Sequence, residues 1–139
     1  MDLSTLIDDI YSSLSPLEIG EDLNLSDEAV EEFGEKVKDA IRSWSSPRKQ
    51  TSGLRMSNIG RPARQLWFES RSEEKKTFSA PTLIKFLYGH ILEELVVLLV
   101  KLSGHSITDQ QKEVIVDDIV GHIDCKIDGE VVDIKTASN

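Results

Sequence analysis

Asp124, Asp133 and Lys135 flank an Asp128-Gly129 pair in the run GHIDCKIDGEVVDIK, residues 121–135. An Asp-Gly pair between alternating runs predicts a two-residue hairpin loop of type I′. With that loop, Ile127 faces Glu130, Lys126 faces Val131, Cys125 faces Val132, Asp124 faces Asp133, Ile123 faces Ile134 and His122 faces Lys135. Alternation then gives Ile123, Cys125, Val132 and Ile134 one face, read as core, and His122, Asp124, Asp133 and Lys135 the other. Opposed carboxylates with Cβ atoms about 5 Å apart repel unless positive charge lies between them. Two oxygen ligands, completed by water and a substrate phosphate, are how magnesium is usually held. A lysine beside them can orient or deprotonate an attacking water. The chemistry expected is metal-dependent phosphodiester cleavage; the plain alternative is a hairpin whose polar face meets only water.

A helix must pack against that hairpin, and its signal is clear. Across residues 81–102, Leu83, Ile84, Phe86, Leu87, Ile91, Leu92, Leu95, Val96, Leu98, Leu99 and Leu102 follow helical spacing, with Ser79 as N-cap and Ser103-Gly104 as stop. Its longest apolar run is far shorter than the roughly 20 residues of a membrane span, so it reads as a core helix. His90 on this helix reads as a packing residue, His105 after Gly104 as surface, and His122 as undecided. None belongs to a cluster with zinc spacing.

Asp124 followed by Asp133-Ile134-Lys135 resembles the signature of the PD-(D/E)xK nuclease superfamily. Gly-His-Ile-Asp with Val-Asp-Ile-Lys-Thr-Ala-Ser is similar to phage and RecB-like exonucleases of the lambda-exonuclease type. The resemblance implies that Asp124 and Asp133 ligate Mg2+ or Mn2+, that the Ile134 carbonyl adds a ligand, and that Lys135 positions the nucleophilic water. Gly89-His90-Ile91-Leu92-Glu93 resembles the family's Gly-xxx-Glu motif, which nominates Glu93 as third acid. Glu94 competes with it, being about 100° further around the helix. Gly89, lacking a Cβ, would allow close approach of a backbone or substrate.

The segment 42–76 differs in character from the rest. It holds nine basic and three acidic residues, +6, against −15 for the remainder of a chain whose net charge is −9. Basic groups that hold phosphate beside acids that hold metal suit a nuclease, and the overall acidity argues for local, channel-like contact. Within it, Leu54-Arg-Met-Ser-Asn-Ile-Gly-Arg-Pro-Ala-Arg-Gln-Leu-Trp-Phe68 resembles an element near the start of the phage exonuclease domain. Ser57 reads as an N-cap and Pro62 as first-turn residue, setting Arg61 and Arg64 near a helix N-terminus that attracts phosphate. By that analogy Ser57, Arg61 and Arg64 are DNA or 5′-phosphate contacts; the alternative is surface arginines with Trp67 and Phe68 as core.

The first forty residues carry twelve acids against two lysines. Leu3, Leu6, Ile7, Ile10 and Leu14 form one apolar stripe, and Ala29, Val30, Phe33, Val37, Ala40, Ile41 and Trp44 another, with Ser26-Asp27-Glu28 as a start signal. An acidic helical elaboration is the plain reading; cover for the nuclease part, DNA mimicry and a partner contact are the others. The expected organisation is an acidic helical region (1–45), a basic linker and DNA-contacting helix (46–80, with the linker from Ser45-Ser46-Pro47 to Ser52-Gly53) and a partial nuclease core (81–139). The fold class expected is α+β around a restriction-endonuclease-like core, with strands near 112–116, 119–127 and 130–136 in one antiparallel sheet.

A single cysteine, Cys125, implies a reducing compartment and excludes the four-cysteine iron-sulfur cluster of some RecB-like relatives. No signal peptide is evident, so a cytoplasmic location is expected, the host's if the gene is phage-borne. Asn139 follows Lys135 by four residues, whereas the superfamily core continues with a helix and strand. A split or truncated nuclease is therefore expected, with DNA and either a second polypeptide or another copy as partners. A non-catalytic binding or assembly module is the competing class, and an endonuclease or resolvase the competing activity.

Overall fold

The computed structural model describes residues 2–47, 53–72 and 77–136. Ahead of the sheets come α1 (Leu6–Ser13), the short α2 (Ser15–Glu18), α3 (Asp27–Ser45), α4 (Ala63–Arg71) and α5 (Ala80–Leu102). Ser26 caps α3, its side chain accepting the Ala29 N–H at 3.2 Å. The central helix α5 begins after Ser79 and stops at Ser103-Gly104, with Gly104 at φ +87°, as its periodicity predicts. No described helix is long and apolar enough to cross a membrane.

The strands form two small antiparallel sheets, so the chain mixes helix and sheet in the α+β manner. In one, β2 (Lys112–Val116) pairs with β3 (Ile119–Ile123); in the other, β1 (Ile107–Thr108), β4 (Cys125–Ile127) and β5 (Glu130–Val132) lie in that order. The turn Asp128-Gly129 has both residues in the left-handed region, φ +50° and +89°, and the register Ile127↔Glu130, Lys126↔Val131, Cys125↔Val132 is the one the Asp-Gly loop dictates.

Beyond those three pairs the ladder stops, which corrects the sequence reading. The expected strand 119–127 breaks at Asp124, and the expected strand 130–136 ends at Val132. Asp124 takes the Ile134 N–H on its side-chain Oδ2 at 2.8 Å, a side-chain acceptor used in place of a strand neighbour. Upstream of the break, Ile123 pairs with Lys112 and His122 with Glu113, not with Ile134 and Lys135.

The core lies where α5 meets the second sheet. Val100, Cys125 and Ile127 are fully buried, and Leu3, Leu6, Ile10, Val96, Ile107, Val132 and Ile134 pack around them. Of the acidic N-terminal helices, α1 enters this core and α3 packs on α5 beside it. α1 supplies Leu6 and Ile10, while α3 lies along α5, tied by Lys101 Nζ to Glu32 Oε1 (2.6 Å) and by Trp44 Nε1 to the Leu83 carbonyl (2.7 Å).

Candidate functional site

Three segments meet at the open end of the β4–β5 hairpin. α5 brings Glu93, the break between β3 and β4 brings Asp124, and the chain leaving β5 brings Asp133, Ile134 and Lys135. Gly89 lies one helical turn before Glu93 on the same face. The chain after β5 passes it at ordinary van der Waals distance: a Cβ added there would lie 3.8 Å from Thr136 Oγ1. The close approach expected at Gly89 is therefore not used by the described residues.

Each carboxylate has a protein partner. Asp124 accepts the Ile134 N–H, Asp133 Oδ1 accepts from Lys135 Nζ at 2.8 Å, and Glu93 Oε1 accepts from the Gln111 side-chain amide. Gln111 also donates its own N–H to the Asp124 carbonyl at 2.9 Å, so one residue ties the helix acid to the strand break. Its φ of +50° lies in the left-handed region, an uncommon conformation for a residue with a Cβ. Sequence reasoning passed over Gln111, and no spacing rule marks it.

The electrostatics follow from this crowding. Burial pushes the Glu93 carboxyl above its ordinary value, the Gln111 hydrogen bond opposes that, and the charge of Asp124 adds to it. The Lys135 ammonium holds Asp133 below its ordinary value, and Asp133 in turn raises Lys135, with Asp124 and Glu93 contributing. Burial also raises the Cys125 thiol, whose 0% exposure keeps it inside the core and away from solvent.

The one-residue choice on α5 has a geometric answer. Glu93 turns toward Gln111 and Asp124, while Glu94 lines a cleft of about 670 Å³ on the α3 side with Lys36, Trp44, Arg55 and His90. His90 is exposed there rather than packed. His122, on the other sheet, faces Glu113 at 3.7 Å.

As potential cation ligands, Glu93, Asp124 and Asp133 fit in kind. They are oxygen donors, and the repulsion between Glu93 and Asp124 is what a cation would relieve. Among the described residues no group of three or more His, Cys, Asp or Glu side chains is arranged to hold a metal ion with the partners they have here.

The basic segment is arranged differently from the expectation. Ser57 sits inside a separate 3-10 turn, Met56–Asn58, and Pro62 is the N-cap of α4, so Ser57 caps no α-helix. That turn docks on β3: a Cβ added to Gly121 would meet Met56 Cγ at 2.8 Å, which explains the glycine. Arg61 binds Glu69 at 3.3 Å, and Arg64 lies in the first turn of α4 with its guanidinium 5.9 Å from the Phe68 ring. Arg48, Lys49, Lys75 and Lys76, the middle of the linker, and the Ala-Ser pair after Thr136 lie outside the described residues.

His105 is the largest surprise. Expected at the surface, it is 3% exposed and bridges two carboxylates, Asp128 Oδ2 at 2.5 Å from Nδ1 and Asp9 Oδ2 at 3.0 Å from Nε2. Its pKa is raised, first by the Asp128 hydrogen bond and then by Asp9, against the opposing effect of burial. Asp128, which also accepts the Ser106 N–H, is lowered to about 2. Asp9 lies 96 residues from His105, so no local pattern could announce the bridge.

No family model, no curated protein and no solved structure matches this chain. The functional reading therefore rests on its own residues.

Proposed function

We propose that the chain is a metal-dependent deoxyribonuclease of exonuclease type, serving phage recombination or DNA degradation, with Glu93, Asp124, Asp133 and Lys135 at its reacting centre. One observation carries the reading: residues from three separate segments, two of them freed from regular pairing, bring an acid–acid–acid–lysine set to one end of a hairpin. Burial and the neighbouring Asp124 both act against the charge of Glu93, an arrangement that closing a hairpin does not require. A partial restriction-endonuclease-like core belongs to the same proposal.

Glu93, Asp124, Asp133 and the Ile134 carbonyl would hold Mg2+ or Mn2+. When bound, such an ion polarises the scissile phosphate and acidifies a bound water. The chain's own groups do the rest. Lys135, fixed by Asp133, would orient the attacking water: its oxygen bonds to phosphorus as the P–O ester bond breaks, the water gives up a proton to solvent, and the leaving oxygen takes one from solvent in balance. Gln111 restrains Glu93, and Asp124 restrains the backbone at Ile134. Ser57, Arg61 and Arg64 are the proposed DNA contacts.

The satisfied state of each carboxylate favours a second reading, a binding or assembly module whose catalytic set is completed by another chain. Exposed Val131 on the edge strand β5 supports a protein partner or second copy there.

The test pairs Mn2+ calorimetry on wild type, Asp124→Ala and Asp133→Ala with cleavage of end-labelled linear and circular DNA. Binding lost in both variants, with cleavage of linear DNA only, supports an exonuclease. Cleavage of circular DNA makes it an endonuclease. Binding without cleavage supports the two-chain reading, and no binding by wild type removes the nuclease reading.

A further inference from the structure

Helix α4 turns its largest side chains outward. Arg64, Trp67, Phe68 and Arg71 recur at the spacing i, i+3, i+4, i+7 and so share one face, where a core helix would carry its apolar stripe. Here Trp67 is 50% exposed and Phe68 55%. Their rings meet edge to face, centroids 5.0 Å apart at 89°, and a guanidinium sits over each: Arg71 at 4.2 Å from Trp67 and Arg64 at 5.9 Å from Phe68. The acid of the helix, Glu69, is engaged by Arg61 and by Gln65.

We propose that this face is a stacking platform for a nucleic-acid single strand, with bases on Trp67 and Phe68 and phosphates on Arg64 and Arg71. The argument is complementarity of both charge and shape. Aromatic rings held open to solvent accept any unstacked base, while flanking arginines pair with the backbone that links successive bases. In a chain of net charge −9, a face with two arginines and no carboxylate of its own is a local positive site, unlike the acidic helices α1 and α3. A duplex hides its base faces and has less to offer this stripe. The inference deepens the nuclease reading and rests on it for its role: the platform would hold the strand being processed.

The experiment measures binding alone, in EDTA, so that metal chemistry plays no part. Fluorescein-labelled oligo(dT) and a matched duplex are titrated with the full chain by fluorescence anisotropy, using wild type, Trp67→Ala, Trp67→Tyr, Phe68→Ala and Arg71→Ala. The expected result is preference for the single strand, roughly ten- to a hundredfold weaker binding in Trp67→Ala and Phe68→Ala, and recovery in Trp67→Tyr. Arg71→Ala should weaken binding and lower the salt slope by about one. Equal affinity of wild type and Trp67→Ala, or no binding by wild type, overturns the proposal. So does a dimer by light scattering that Trp67→Ala converts to monomer, because the face then meets a second copy. Strand binding without metal binding would keep the platform and discard the nuclease reading; metal-dependent cleavage with unaltered Trp67→Ala binding would do the reverse.

Discussion

The two ends of the β4–β5 hairpin carry acids to opposite effect. At the turn, Asp128 meets the Ser106 N–H and His105, which also reaches Asp9 on α1, and its pKa falls to about 2. At the open end, Glu93 meets burial and another carboxylate, and its pKa rises. Hydrogen bonds and a cation stabilise charge in the first case; burial and like charge oppose it in the second. The turn closes the fold by joining α1 to the second sheet, whereas at the open end burial and the neighbouring Asp124 act against the charge of Glu93 and the Gln111 hydrogen bond offsets only part of that. Charge count alone would not have separated them.

The largest test of the contrast is Asp133→Asn. Cleavage should drop by more than the roughly 10- to 100-fold typical of removing an outer partner of a metal site, while the melting temperature hardly moves. If the variant unfolds instead and wild type cleaves nothing, the open end is structural like the turn.

Gln111→Ala should act next in size, weakening Mn2+ binding by about 10- to 100-fold in calorimetry, the scale of a lost outer partner. Unchanged metal affinity would mean that its contacts with Glu93 and Asp124 serve the backbone alone.

Between the two ends, Cys125→Ser puts a hydroxyl into the core beside Val100 and Ile127. Without a partner there it should cost about 1–3 kcal/mol in urea unfolding, with the denaturant slope unchanged. A neutral result would show that the centre of the hairpin tolerates polarity.

His105→Gln sharpens the turn end through pH. A raised histidine pKa gives stability that is complete below the unfolded value of 6.5 and lost as pH rises through the folded value. The lowered Asp128 gives stability that is complete above 3.8 and lost as pH falls toward about 2. The bridge is thus strongest between pH 4 and 6.5, by those reference values. Wild type should lose several degrees of melting temperature between pH 6 and 8.5 that the variant does not lose. Parallel curves would place the pH dependence elsewhere.

Some of this was legible in the residues and some was not. The α5 boundaries and the turn register follow from local rules, because periodicity and an Asp-Gly loop act over a few residues. The strand break was missed because alternation continues unbroken through Asp124; what interrupts the ladder is a side-chain acceptor ten residues from its donor. Trp67 and Phe68 read as core in the alternative to a DNA-contacting helix, yet both are half exposed, since hydrophobicity says how much an aromatic gains by burial and not whether a surface is there to receive it.

Residue type and short-range spacing settled helices α1, α3 and α5, the Asp128-Gly129 turn and the candidacy of Glu93, Asp124, Asp133 and Lys135, but not α2 or the start of α4. Only the tertiary structure decided that Glu93 rather than Glu94 turns to the acids, that Gln111 joins them, and that His105 ties Asp9 to Asp128. Those choices depend on which segments pack together, and contacts between distant residues are settled by burial across the whole chain rather than by any pattern along it.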